Sequence, residues 1–201
     1  MAMPSPTWTP GAGSDGRRAA EILPFARGTQ VYAAGEAGGA LRVLSGVVRL
    51  DRERGEGPEF GGLALAGDVI GAETLVFGAY TYSATALSAV VLESWLAGAS
   101  ADTERKLMLA LSASERRMAD ALALRCGKAA ARIRRLLDIL AGAGARDGTP
   151  PRAVLPRLKD IADITDLKIE TVSRTISQLN DGGELAIEDH RRGRLFHTVG
   201  A

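Results

Sequence analysis

The residues with the clearest capacity for chemistry are Glu170, Ser173 and Arg174, in the segment KIETVSRTISQLN that starts at Lys168. On a helix, positions i, i+3 and i+4 share one face. That face would carry a carboxylate acceptor, a hydroxyl and a guanidinium fork side by side. Arginine can donate in bidentate fashion to guanine O6 and N7, and glutamate can accept from the exocyclic amine of cytosine. Lys168 and Thr171 flank the set and suit phosphate oxygens, contacts that position a protein on a duplex without reading its sequence. The same Glu170–Arg174 spacing also suits an ordinary exposed ion pair that needs no ligand. The neighbouring elements have to decide between these readings.

Other chemistries lack their residues. The two histidines, His190 and His197, lie near the C-terminus, so the N-terminal part offers no Ser–His or Cys–His set and no cupin-like metal ligands. An enzyme is therefore not expected. A single cysteine, Cys126, cannot hold an iron–sulfur cluster within one chain and cannot form an internal disulfide. No cofactor or metal is expected. The cysteine count points to a reducing compartment and the cytoplasm. No apolar run reaches membrane-spanning length, and no leader for secretion is visible. Cys126 itself has two readings. It is either a buried structural thiol or a redox switch, its thiol activated by Arg125 and Lys128.

The elements around Glu170–Arg174 are those of a reading head. Leu158–Ile164 has the length of a short helix, Thr165–Asp166–Leu167 is a tight turn, and Lys168–Asn180 is a second helix. Ala162, Leu167, Val172, Ile176 and Leu179 would form the joint between the helices, with Val172 and Ile176 turned away from Glu170, Ser173 and Arg174. This is helix-turn-helix spacing, whose second helix enters the major groove. Asp181–Gly182–Gly183 stops that helix. Two strands, Leu185–Glu188 and Arg194–Thr198, then make a wing. In this setting the polar face reads better as a recognition surface than as a solvated ion pair.

Upstream, residues 22–95 alternate short β-branched runs with turns at Gly35–Glu36, Gly38–Gly39, Ser45–Gly46 and Ala66–Gly67–Asp68, the pattern of a small antiparallel barrel or jelly roll. From Ala101 to Leu124 there is neither Gly nor Pro, and Leu107, Leu111, Ser114, Met118 and Ala121 recur at steps of four and three. That predicts a long helix with a coiled-coil-like seam, either paired with a second copy or packed on its own barrel. Its length favours the dimer. A further helix is expected over 128–141 and a linker over 142–156. Residues 1–124 carry 11 Lys/Arg against 14 Asp/Glu, and residues 125–201 carry 14 against 10. An acidic front and a basic back suit a sensor joined to a DNA binder. The expected fold class is α+β, divided into a flexible tail (1–18), a sensor-like barrel (19–98), a dimerisation helix (99–126) and a winged helix-turn-helix (127–201).

The strings GVVRL, GDVIGAETL and DIADITDLKIETVSRTISQL, separated by a barrel strand pair and the long helix, resemble the Crp/Fnr superfamily over residues 22–199. IETVSR is most similar to the Fnr and FixK branch. The resemblance implies a cyclic-nucleotide-binding-like jelly roll and base contacts from Glu170, Ser173 and Arg174. It also implies a homodimer on double-stranded DNA with TTGA-type half-sites, and RNA polymerase as a partner in transcription regulation. The chain departs from the family pattern at Arg157, where a Ser or Thr cap is common, and at Asp166, where the turn commonly has Gly. Where nucleotide-binding members carry Gly-Glu and Arg-Ser or Arg-Thr, this chain reads Gly71–Ala72 and Tyr82–Ser83. Without the phosphate-binding Arg, cyclic AMP is not an expected effector, and the effector stays open. The competing functional class is a small-molecule-binding signalling module that does not work on DNA.

Overall fold

Alternation of apolar and polar residues builds the first half of the chain. A computed structural model describes residues 21–55, 57–95, 101–144, 153–190 and 193–199. The expected tail, 1–18, lies outside these residues, as does most of the expected linker. In chain order the first strands are β1 (Ile22–Phe25), β2 (Gln30–Tyr32), β3 (Leu41–Ser45), β4 (Val48–Arg54), β5 (Gly57–Ala64) and β6 (Val69–Ile70). A short helix α1 (Thr74–Phe77) precedes β7 (Ser83–Ala86) and β8 (Val90–Ser94). They form two four-stranded antiparallel sheets, β1-β8-β3-β6 and β2-β7-β4-β5. Leu41, Val43, Val48, Ala84, Val90 and Leu92 point inward to a common core. This is the jelly-roll architecture expected from the turn spacing.

The β3–β4 hairpin depends on Gly46. Its φ is +86°, and an added Cβ would stand 2.2 Å from the Ala89 carbonyl oxygen. Any side chain there would force the β3–β4 and β7–β8 turns apart. On the facing hairpin the register shifts at Leu50/Asp51, where Leu50 pairs with Gly62 and Asp51 with Phe60. The extra residue, Gly61, is in β5; on β4 the ordinary alternation sets Arg49 and Asp51, two residues apart, side by side and buried on one face.

The long helix α2 (Ala101–Ala123) and the helix α3 (Ala129–Gly144) follow. A two-residue strand β9 (Ala153–Val154), the helices α4 (Leu158–Thr165) and α5 (Ile169–Asp181), and the hairpin β10 (Leu185–His190) and β11 (Gly193–Thr198) complete the chain. β9 pairs with β11 and makes the wing a three-stranded sheet, β10-β11-β9. It falls in the stretch expected to be linker; two residues of pairing carry no periodicity, so only the partner strand reveals them. Likewise α3 runs three residues beyond its expected end.

One apolar cluster joins the two halves. Val47, Phe60, Leu63 and Leu87 of the barrel pack in the same cluster as Leu124, Ile133 and Leu136 of the helical part and Ile161 and Ile164 of α4. Ala110 is buried on the inner side of α2, which lies along β5, and Leu124 is buried just past its end. The opposite side is bare: Met108 is 64% exposed, Leu111 62%, Met118 54% and Leu122 67%. No described helix is long and apolar enough to cross a membrane.

Candidate nucleic-acid interface

The helix-turn-helix is assembled by small contacts between α4 and α5. Ala162 and Val172 are both buried at the crossing, and their small or β-branched side chains let the two backbones approach. The turn between the helices is closed by two bonds to one acceptor. The Ala162 carbonyl accepts the backbone N–H groups of Asp166 and Leu167. Asp166 is left-handed, with φ 52° and ψ 54°, and no other described non-glycine residue has positive φ. The aspartate thus takes the conformation that glycine takes most easily. Arg132 of α3 holds the turn from outside, its Nη1 donating to the carbonyls of Thr165 (3.1 Å) and Asp166 (3.4 Å).

Two consequences can be measured. Asp166→Gly should raise stability by about 0.5 kcal/mol: relief of about 1–2 kcal/mol of left-handed strain exceeds glycine's extra chain entropy of roughly 0.5–1 kcal/mol. Urea unfolding checks this, and a clear loss of stability would mean that the Asp166 side chain itself supports the turn. At the start of α4, Arg157 is the N-cap and makes no side-chain capping bond. Arg157→Ser should therefore add about 0.5–1 kcal/mol by satisfying a free N–H of the first turn.

α5 separates its faces cleanly. Val172, Thr175, Ile176 and Leu179 are buried, whereas Lys168, Glu170, Ser173 and Arg174 are exposed and Thr171 is half-buried. Glu170 and Arg174 make no hydrogen bond or ion pair with any described residue, so the bracing pair allowed by their spacing is not formed. Both head groups are free to meet a ligand. Behind α5, Glu184 accepts a bidentate pair from Arg134 of α3 at 2.7 and 2.9 Å. Those bonds hold the Glu184 carboxyl below its ordinary pKa and tie the wing to α3. Phe196 of β11, Leu185 of β10 and Leu155 fill the space beneath.

The remaining expected residues divide. On α2, Leu111 and Met118 lie on the exposed side, Leu107 and Ser114 are half-buried, and Ala121 packs against the core of its own chain. The bare apolar row runs instead through Met108, Leu111, Met118 and Leu122. Steps of three and four fit both rows, and only packing on β5 tells them apart. Cys126 is exposed in the α2–α3 turn, which removes the buried-thiol reading. The Arg125 head group, expected beside the thiol, is directed to the Asp163 carbonyl and the Phe60 ring instead. His197 is half-buried in the wing, and no described group of His, Cys, Asp and Glu could hold a metal ion.

In the barrel, Tyr80 occupies the ground beside Gly71. A Cβ on Gly71 would stand 2.6 Å from Tyr80 Cε1, and the Tyr80 hydroxyl donates to the Gly39 carbonyl at 2.8 Å. Tyr32 stacks on it, with ring centroids 3.7 Å apart and planes 8° from parallel. The Glu73 carboxylate accepts the Thr81 N–H at 3.2 Å, and Arg117 of α2 pairs with Asp68 at 3.0 Å. Burial pushes the Tyr80 phenol up to about 12 and raises Tyr32 well above its ordinary value. A phenol whose proton is held more tightly in the fold contributes stability that is full below the unfolded value near 10 and drains as pH rises to about 12. The urea midpoint should fall over that window, and fall less in Tyr80→Phe. Absorbance at 295 nm should show Tyr80 ionising only near the top of it.

No family model matches the chain. Relatives are nonetheless clear. The nitrogen fixation regulation protein FixK of Azorhizobium caulinodans is 32% identical over 179 residues, covering 84% of this chain and 72% of the relative. A CRP-family transcriptional regulator from Thermus thermophilus superposes with a TM-score of 0.72 at 27% identity, covering 89% of this chain and 92% of its own. FixK2 from Bradyrhizobium japonicum superposes with a TM-score of 0.72 at 25% identity, covering 91% and 94%.

Proposed function

This chain belongs to the Crp/Fnr family of transcription regulators, and we propose that it acts as a homodimer that reads palindromic double-stranded DNA through α5. The observation that carries this reading is the unengaged polar face of Glu170, Ser173 and Arg174, exposed on a helix whose other side is buried. Arg174 donates to guanine, Glu170 accepts from cytosine, and Ser173 completes the contact. Lys168 and Thr171 hold phosphates at the helix start. The half-site is of the TTGA type. The two chains pair through the bare row of α2, Met108, Leu111, Met118 and Leu122, which sets the two copies of α5 about 34 Å apart, one turn of DNA. Bound to its site, the dimer regulates transcription by contact with RNA polymerase. Its place of action is the cytoplasm, and it carries out no catalysis.

The barrel does not take cyclic AMP. Tyr80 stands against Gly71, and Arg117 is already paired with Asp68, so a buried phosphate would find no free cation there. Any effector has different chemistry. Exposed Cys126 is retained as a redox-sensitive position at the joint between the halves.

Selection of binding sites from random DNA with the full chain tests this function. An inverted repeat of TTGA-type half-sites is the expected outcome. Recovery of no enriched sequence would overturn it.

A further inference from the structure

The barrel and the reading head meet at a group of ionisable side chains that the DNA-facing surface does not use. Arg49 of β4 is almost out of solvent, its side chain 11% exposed, and its Nε donates to Asp51 Oδ1 at 2.8 Å. Its Nη1 reaches out of the barrel to α4, 3.5 Å from Asp163 Oδ2 and 3.9 Å from Asp160 Oδ1. Asp160 and Asp163 are three residues apart, so one face of α4 presents both carboxylates to the barrel. From the end of α2, Arg125 Nη2 donates to the Asp163 carbonyl at 3.2 Å, while its guanidinium lies 5.6 Å from the Phe60 ring centroid. Arg125 Nε is buried and has no partner in the protein, so this arginine is held by its place rather than by a full set of bonds.

The choice of residue matters. A guanidinium is a planar fork that can bond Asp51 with one edge and α4 with the other, which a lysine ammonium on a flexible stem cannot do. The site is dry enough that burial raises the Asp51 carboxyl above its ordinary range against the pull of Arg49. Asp51 holds the guanidinium inside the barrel, where breaking the pair would be costly, while Asp160 and Asp163 meet its outer edge, 28% and 42% exposed. α4 in turn cannot move without α5, because the two are locked at Ala162 and Val172 and through the turn that Arg132 holds.

We infer that Arg49 is a positioning residue for DNA recognition: by clamping α4 to β4 through Asp160 and Asp163, it fixes the angle of α5 relative to α2 and so selects the spacing between half-sites. The clamp rests on the dimeric DNA reading proposed above. In a dimer built on α2, any tilt of the reading head changes the separation of the two α5 helices. A rigid head accepts one spacing, and a loosened head accepts several.

The test uses the full chain and the palindrome recovered from random DNA, with its spacer lengthened and shortened one base pair at a time. Wild type should give a sharply peaked affinity curve. Asp160→Asn with Asp163→Asn removes the clamp and leaves the Arg49–Asp51 pair inside the barrel. Arg49→Gln with Asp51→Asn removes it from the other side. Each should flatten the curve, lowering discrimination between the best spacing and its neighbours by roughly 3- to 30-fold. Affinity for a single half-site should stay unchanged, which loss of folded protein would not allow. A peaked curve shared by the variants overturns the clamp alone. A wild-type chain that recovers no palindrome overturns the DNA reading and the clamp with it.

Discussion

Replacing Arg174 with alanine should weaken binding to the selected palindrome by about 1–3 kcal/mol in each half-site, and relax the preference at one base pair of each. The guanidinium is exposed and makes no bond within the described chain, so nothing in the fold should register its removal. The free energy of unfolding should stay within about 0.5 kcal/mol of wild type. Arg174→Lys is the informative companion. It keeps the charge but loses the fork proposed to meet guanine O6 and N7 together, so it should keep most of the salt dependence and lose much of the discrimination. Lys168→Ala should do the converse, weakening all sequences alike and lowering the salt slope by about one unit. Competition titrations against single-base variants of the site separate these outcomes. Unchanged sequence preference in Arg174→Ala would remove the role assigned to that side chain.

Placing aspartates at Met118 and Leu122 together should convert the dimer to a monomer and lower affinity for the palindrome by about 10²- to 10⁴-fold. Both side chains stand on the bare face of α2, so a single chain loses little by the change. Two chains facing each other would bring four carboxylates into an apolar seam, which neither Coulomb repulsion nor desolvation permits. Sedimentation would report the monomer, and affinity for one half-site should be preserved. Ala121→Asp supplies the contrast. Ala121 packs on its own core, so this substitution should lower the unfolding midpoint instead of splitting the dimer. If Met118→Asp with Leu122→Asp stayed dimeric, the partner would have to lie elsewhere.

Much of this architecture was legible before any coordinates. Periodicity placed α2, α3, α4 and α5 within a few residues of their observed limits, because a helix that buries one side must repeat its apolar residues every three or four positions. Turn chemistry placed the barrel strands, since a chain that reverses needs glycine or a short polar side chain at the bend. Asp166 was a departure from the usual glycine, yet the turn keeps the left-handed conformation, which a short polar side chain tolerates. α1 and β9 were missed. Each is too short to show a period, and β9 exists only through its pairing with Leu195 and Phe196.

The sequence by itself determined the local elements and the chemical character of the exposed face of α5. Both follow from residue types a few positions apart, and a polar stripe opposite Val172 and Ile176 has one way to face. Tertiary structure decided which side of α2 is covered: Ala121 of the expected seam turns to the core, while Leu111 and Met118 stay bare beside Met108 and Leu122, because steps of three and four leave the exact side open and only β5 fixes it. It also decided that the barrel and the reading head share one apolar core, and that Arg49 reaches Asp163. That last contact joins residues more than a hundred positions apart. Such contacts arise where two surfaces meet, and no pattern along the chain encodes which surfaces those will be.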